Sequence, residues 1–243
     1  LICYLTAGLP DEEGFLEHCR AAVEGGADVL EVGVPFSDPV ADGAVIQMAS
    51  ARALASGVRP AKVFELVRQM GDLDVPIVLM GYYNPIFVMG EKDFVSQAKS
   101  AEADGLIVAD LPMQESESLG HACREEGLDL VQIAGPTTGE VRMRSIADRS
   151  SGFLYLVSSL GTTGARDSLP VGLHDLVRTA KRAADRLPVA VGFGISRAEQ
   201  VHQVIECGAD GVIVGSALLA KLLEGATPDE TKAFVCELKS GTR

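Results

Sequence analysis

Two carboxylates stand out by their placing. The stretch "ADVLEVGVPFSDPVADGAVIQ" (27–47) opens as an apolar strand with Glu31 in its middle, and after a loop broken by Pro and Gly it reaches Asp42. A carboxyl group on a covered strand loses its water, so its pKa rises and it holds a proton near neutral pH. That is the condition a general acid/base needs. A structural Glu would pair with a Lys or Arg, or bond to Tyr or Ser neighbours. The first, third and fourth predicted strands contain no basic residue to pair with it. For Asp42, in "ADG", capping a following helix and taking part in chemistry both fit.

A second set of residues suits an anion. "SSLGTTGAR" (158–166), "GFGIS" (192–196) and "VGSAL" (214–218) each follow an apolar run. Glycines let backbone approach a phosphate closely, and a helix N-terminus offers free N–H groups and a favourable dipole. Gly164, Gly194, Gly215 and Ser216 would converge on such a group; ordinary turn glycines are the alternative. "GFGISR" carries Arg197 at the third glycine position of a dinucleotide fingerprint and lacks the early strand–helix–strand context, so that fingerprint is excluded.

The elements that must position these residues follow from hydrophobic pattern. Strands are expected at 2–6, 28–33, 75–81, 105–110, 128–134, 152–158, 188–194 and 210–216, as nearly continuous Val/Ile/Leu runs. Amphipathic stretches lie between them; in "EEGFLEHCRAAVEGG", Phe15, Leu16, Cys19, Ala22 and Val23 share one face. "GGADVLEVG", "AEADGLIVAD" and "CGADGVIVG" repeat a small-residue turn, an Asp and a strand. A strand–helix unit of about 25 to 35 residues, repeated roughly eight times, points to a (β/α)8 barrel, with a doubly wound open sheet as the alternative. In a barrel, the loops after strands seven and eight are where a phosphate binds. No Pro/Gly/Ser-rich linker divides the chain, so residues 1–243 read as one α/β domain; "GTTGARDSLPVG" (161–172) suits a mobile lid.

Composition narrows the partners. Hydrophobic residues make up 47% and charged residues 23%, within the globular range. No apolar run approaches the roughly 18 residues that cross a bilayer. The start of the chain lacks the basic region and cleavage site of a signal peptide, but Leu1 leads almost directly into a strand, consistent with a segment ahead of it. A net charge of −13 argues against nucleic-acid and anionic-membrane surfaces. Cys3, Cys19, Cys123, Cys207 and Cys236 are odd in number and form no C-x-x-C pair, as expected of reduced thiols in a cytosolic protein. His18, His121, His174 and His202 are scattered, and no set of residues has metal-ligand spacing.

"LEVGVPFSDPVADGAVIQ" closely resembles the signature of the tryptophan synthase alpha subunit family. "TAGLP", "MGYYNPIF" (80–87), "ADLP" (109–112), "TTGAR" (162–166), "GFGIS" and "VGSA" match that family in order and spacing along almost the whole chain. The resemblance implies a (β/α)8 barrel that cleaves indole-3-glycerol phosphate to indole and glyceraldehyde 3-phosphate by a retro-aldol step, with no metal or cofactor in this chain. It makes Glu31 and Asp42 catalytic, and puts Tyr155 beside the glutamate, where packing the barrel is its structural alternative. Thr163 and Gly164 match the lid, Gly194, Gly215 and Ser216 the phosphate site, and Tyr82 and Ile46 would flank the indole. The loops "PFSDPV" (35–40) and "NPIF" (84–87), with Pro35, Asp38 and Asn84, match a docking surface for a beta subunit. That partner is expected to carry pyridoxal phosphate in a cytoplasmic αββα heterotetramer and to use the indole for tryptophan biosynthesis. A stand-alone indole-releasing lyase and a non-catalytic ligand-binding regulator are the rival readings. The sequence departs from the family pattern at Ala44, where Pro is usual, at Leu9, where Asp is common, and at Thr162, where Val or Ile is usual; a short helix before the first strand is also missing.

Overall fold

Each of the eight apolar runs forms a strand in the computed structural model, which describes residues 1–158, 169–192 and 194–243. The strands are β1 (Ile2–Thr6), β2 (Val29–Gly33), β3 (Ile77–Gly81), β4 (Gly105–Val108), β5 (Asp129–Ala134), β6 (Leu154–Val157), β7 (Val189–Gly192) and β8 (Gly211–Val214). All pair in parallel with their chain neighbours, and β8 closes on β1 through Ile2↔Ile213 and Cys3↔Val214. An open doubly wound sheet would reverse its strand order and leave two edges, so closure decides for the barrel.

Among the described residues the helices are α1 (Glu12–Glu24), α2 (Ala44–Ala55), α3 (Pro60–Arg68), α4 (Tyr83–Met89), α5 (Glu91–Ser100), α6 (Glu117–Glu126), α7 (Glu140–Ala147), α8 (Leu173–Ala184), α9 (Ala198–Glu206), α10 (Ser216–Leu223) and α11 (Pro228–Ser240). Their ends carry the expected local chemistry. The Asp11 carboxylate accepts the Gly14 N–H at the head of α1, and Thr227 and Glu230 form a capping box around Pro228 at the head of α11. The inward face of α1 buries Phe15, Cys19 and Ala22 as its pattern requires.

Two layers of apolar side chains result from the alternation along each strand. Leu5, Leu30, Leu79, Leu106 and Val212 face outward into the helix layer, where the Phe64 and Phe94 rings meet edge to face with centroids 5.1 Å apart. Ile2, Val78, Ile107, Val131, Tyr155, Ala190 and Ile213 fill the barrel itself. Leu9, one of the departures from the family pattern, is fully buried in the outer core.

Two local expectations are corrected. The segment containing "NPIF" is not a loop but the start of α4, since β3 ends at Gly81 and the helix begins at Tyr83. Pro85 fits there because the first-turn N–H groups of a helix have no intrahelical acceptor to lose. The second concerns Asp42 as a helix cap. Gly43 is the N-cap of α2, so Ala44 is the first helical residue and Asp42 does not cap.

Ala44 therefore stands at the one helical position where Pro is favoured. Gly43 before it is extended, at φ −75° and ψ 165°, which is the conformation a following Pro requires. Ala44→Pro is expected to stabilise by about 0.4–1 kcal/mol through the unfolded chain, raising Tm by roughly 1–4 °C in a thermal melt.

Candidate active site

Strand register brings the first group of side chains together. Tyr4 of β1 pairs with Glu31 of β2, which pairs in turn with Val78 of β3. Val78 lies in the barrel interior, and so do Tyr155 of β6 and the side chains in phase with them. Glu31 is 1% exposed, and its Oε2 has no hydrogen-bond partner. Burial, with a smaller contribution from the charge of Asp42, pushes its pKa up to about 8. No ion pair compensates it among the described residues, in keeping with the absence of basic residues on the neighbouring strands. Burial also raises the Tyr4 and Tyr155 hydroxyls, so both stay neutral around the carboxyl.

Room for these rings comes from glycines on the next strands. A Cβ at Gly33 would collide with the Tyr4 hydroxyl and ring, and one at Gly192 would lie 2.6 Å from the Tyr155 hydroxyl. Tyr4 is the site residue that motif reading missed. Its signal was available in the strand "ICYLT", but only the β1–β2 register shows that it stands opposite Glu31.

Asp42 arrives from the loop after β2 and is held by backbone at both ends. Its N–H donates to the Pro39 carbonyl at 3.1 Å, and its carbonyl accepts from Gln47 Nε2 on α2 at 2.8 Å. The residue is 8% exposed; burial raises its pKa to about 6, against the lowering effect of the Tyr82 hydroxyl. The same hydroxyl accepts the Ala41 N–H at 3.0 Å, and the Tyr82 ring stacks on Phe36 with centroids 5.3 Å apart. Tyr82 thus holds two consecutive residues of the loop. Ile46, on the first turn of α2, is half-buried and packs against the core.

The residues expected to receive an anion lie at the ends of β7 and β8. Gly192 and Ile213 are register partners, so Gly194 and Gly215 each follow two residues further along neighbouring strands. Gly194 has φ +80°, a conformation that favours glycine. Gly215 is the sole residue between β8 and α10; a Cβ there would come within 3.2 Å of the Tyr4 Cβ, so packing as well as ligand approach calls for glycine. Ser216 is the first residue of α10, whose initial N–H groups have no intrahelical acceptor. Thr163 and Gly164, with the departure at Thr162, lie outside the described residues. Of the residues expected at a partner surface, Asp38 and Asn84 are exposed and Pro35 is buried.

Comparison with known proteins gives a consistent result. A family model described as "Tryptophan synthase alpha chain" matches residues 1–241. The chain is 48% identical to the tryptophan synthase alpha chain of Methanosarcina barkeri over 244 residues, covering 100% of this chain and 91% of that protein. It is 44% identical to the corresponding chain of Thermococcus kodakarensis, over 100% of this chain and 97% of the relative. A solved chain from the tryptophan synthase α2β2 complex of Pyrococcus furiosus superposes with a TM-score of 0.92 at 43% identity, covering 99% of this chain and 97% of that one.

Burial of Glu31 has a stability consequence with a definite sign. Its pKa rises from 4.5 in the open chain to about 8 in the fold, so between those values the folded state binds more protons than the unfolded state. Stability therefore falls as pH rises through that window. Tm measured from about pH 5 to about pH 8 should fall less steeply in Glu31→Gln than in wild type, because the neutral amide has no proton to lose.

Proposed function

The chain belongs to the tryptophan synthase alpha chain family, and we propose that Glu31 and Asp42 carry out its alpha reaction, the lyase cleavage of indole-3-glycerol phosphate to indole and glyceraldehyde 3-phosphate. One observation carries the assignment of roles. Two buried carboxyl groups in one barrel mouth have pKa values of about 8 and about 6, so near neutrality one holds its proton while the other is ionised.

The reaction needs both states at once. Glu31 gives its proton to C3 of the indole, which turns the ring into a leaving group. The carboxylate so formed takes the proton from the glycerol hydroxyl as the carbon–carbon bond breaks, and Glu31 ends protonated as it began. Ionised Asp42, set at the indole N–H, stabilises the positive charge that develops on the ring. Neutral Tyr4 and Tyr155 keep the Glu31 pocket free of counter-charge, which sustains its raised pKa. Tyr82 and Ile46 border the indole. Gly194, Gly215 and Ser216 receive the phosphate through backbone N–H groups and the α10 dipole, which suits a chain of net charge −13. Thr163 and Gly164 belong to the lid.

A beta subunit is the partner, carrying pyridoxal phosphate and consuming the indole in the cytoplasm. Asp38 and Asn84 stand on segments that also expose Val40, Phe87 and Val88, large apolar side chains that a partner would cover. Among the described residues, no helix is long and apolar enough to cross a membrane.

Indole release from indole-3-glycerol phosphate, with and without added beta subunit, tests this reading. Weak release that rises sharply with the partner is expected. High release by the chain alone would favour a stand-alone lyase, and none in either case a regulatory module. Glu31→Gln should abolish release while ligand binding persists, and Asp42→Asn should lose at least about tenfold, or about 1.4 kcal/mol of transition-state stabilisation. The kcat/KM of the wild type should follow a bell in pH, with the acid limb near 6, where Asp42 must lose its proton, and the alkaline limb near 8, where Glu31 must keep one.

A further inference from the structure

We propose that Asp110, on the loop after β4, is a positioning residue that sets the catalytic geometry of Asp42 by anchoring Tyr82. The inference rests on the role given to Asp42 above. Asp110 Oδ1 accepts the Tyr83 N–H at 2.7 Å, across 27 residues of sequence. Tyr83 is the first residue of α4, and Tyr82, at the N-cap, offers no side-chain cap because a phenol oxygen lies too far from its own backbone; its hydroxyl instead accepts the Ala41 N–H. The carboxylate of the next strand–helix unit thus supplies the acceptor that α4 does not provide for itself.

The anchor is stiff on both sides. The Ala109 N–H donates to the Gly81 carbonyl at 2.9 Å, which ties the Asp110 loop to the end of β3. The Tyr83 hydroxyl donates to Glu91 Oε1 at 2.9 Å, while the Ser118 hydroxyl occupies Oε2 of the same carboxylate at 2.5 Å. Backbone and phenol of Tyr83 are therefore pinned to the loop after β4 and to the head of α5, and Tyr82, one residue earlier, inherits that placement. A chain of contacts runs from Asp110 to the Tyr83 N–H and, one residue back, from the Tyr82 hydroxyl to the Ala41 N–H, the residue that precedes Asp42. Phe36, stacked on the Tyr82 ring, closes the remaining freedom of the phenol.

Carbon-detected titration of the Asp42 carboxyl group, assigned with Asp42→Asn and read alongside the pH profile of kcat/KM, tests the relay. The charged and titratable groups facing this pair are Glu31, Tyr4 and Tyr155 on the barrel wall, Tyr82 itself, and Asp110 toward Tyr82. Asp110→Ala should weaken the Tyr82 hydrogen bond, raise the Asp42 midpoint by about 0.5 pH or more, and lower kcat/KM by about tenfold. Asp110→Asn keeps an acceptor carbonyl and should recover most of that loss. In a Tyr82→Phe background, Asp110→Ala should add little, because both changes cut the same relay. Equal losses in the Ala and Asn variants, an unmoved Asp42 midpoint, or full additivity with Tyr82→Phe would overturn the proposal. The midpoint is read without substrate. A shifted midpoint in a protein whose wild type releases no indole would uphold the relay and overturn the assigned activity.

Discussion

A carboxyl group taken out of water on a parallel strand keeps its proton to higher pH, and the upper barrel is arranged around that cost at Glu31. Water would restore the ordinary carboxylate range, and a Lys or Arg would push it lower still. No Lys or Arg stands there among the described residues: the neighbours are Tyr4, Val78 and Tyr155, and none of them bonds Oε2. An unsatisfied buried oxygen costs stability. In the role proposed for Glu31, a free face is what handing a proton to a ligand requires.

The second carboxyl group shows the opposite treatment. Asp42 is buried less deeply, is tied into its loop by Pro39 and Gln47 and is held down in pKa by the Tyr82 hydroxyl. Two acids eleven residues apart thereby settle on opposite sides of neutrality. The difference comes from depth of burial together with the Tyr82 hydroxyl beside Asp42. Glycine placement serves the same end at Gly33 and Gly192, where any side chain would displace the tyrosines that insulate Glu31. Tyr82, at the head of α4, connects the Asp42 loop to the neighbouring strand–helix unit, where Asp110 accepts the Tyr83 N–H.

Much of this was legible in the residues. The eight Val/Ile/Leu runs fall within two or three residues of the observed strand ends, because continuous apolar patterning is what a doubly covered parallel strand demands. Glu31 drew notice for the same reason, being the wrong type for its run. Ala44 and "NPIF" were harder. Helix onset at Gly43 and Tyr82 depends on backbone conformation and on acceptors supplied from elsewhere in the fold, and neither leaves a capping residue in the local sequence. Tyr4 gave no motif, since a tyrosine in a strand suits plain core packing equally well.

Local sequence, then, determined the elements, their order and the identity of the two acids, because hydrophobic period and residue type act over a few neighbours. Tertiary structure alone decided that the sheet closes, which a repeat of strands and helices leaves open between a barrel and a doubly wound sheet. It also decided that Tyr4 faces Glu31 and that the Asp42 carboxyl meets a hydroxyl forty residues further along the chain. Register and closure are set by the summed packing of the whole barrel. The pKa of each acid follows from neighbours that only this packing brings within reach.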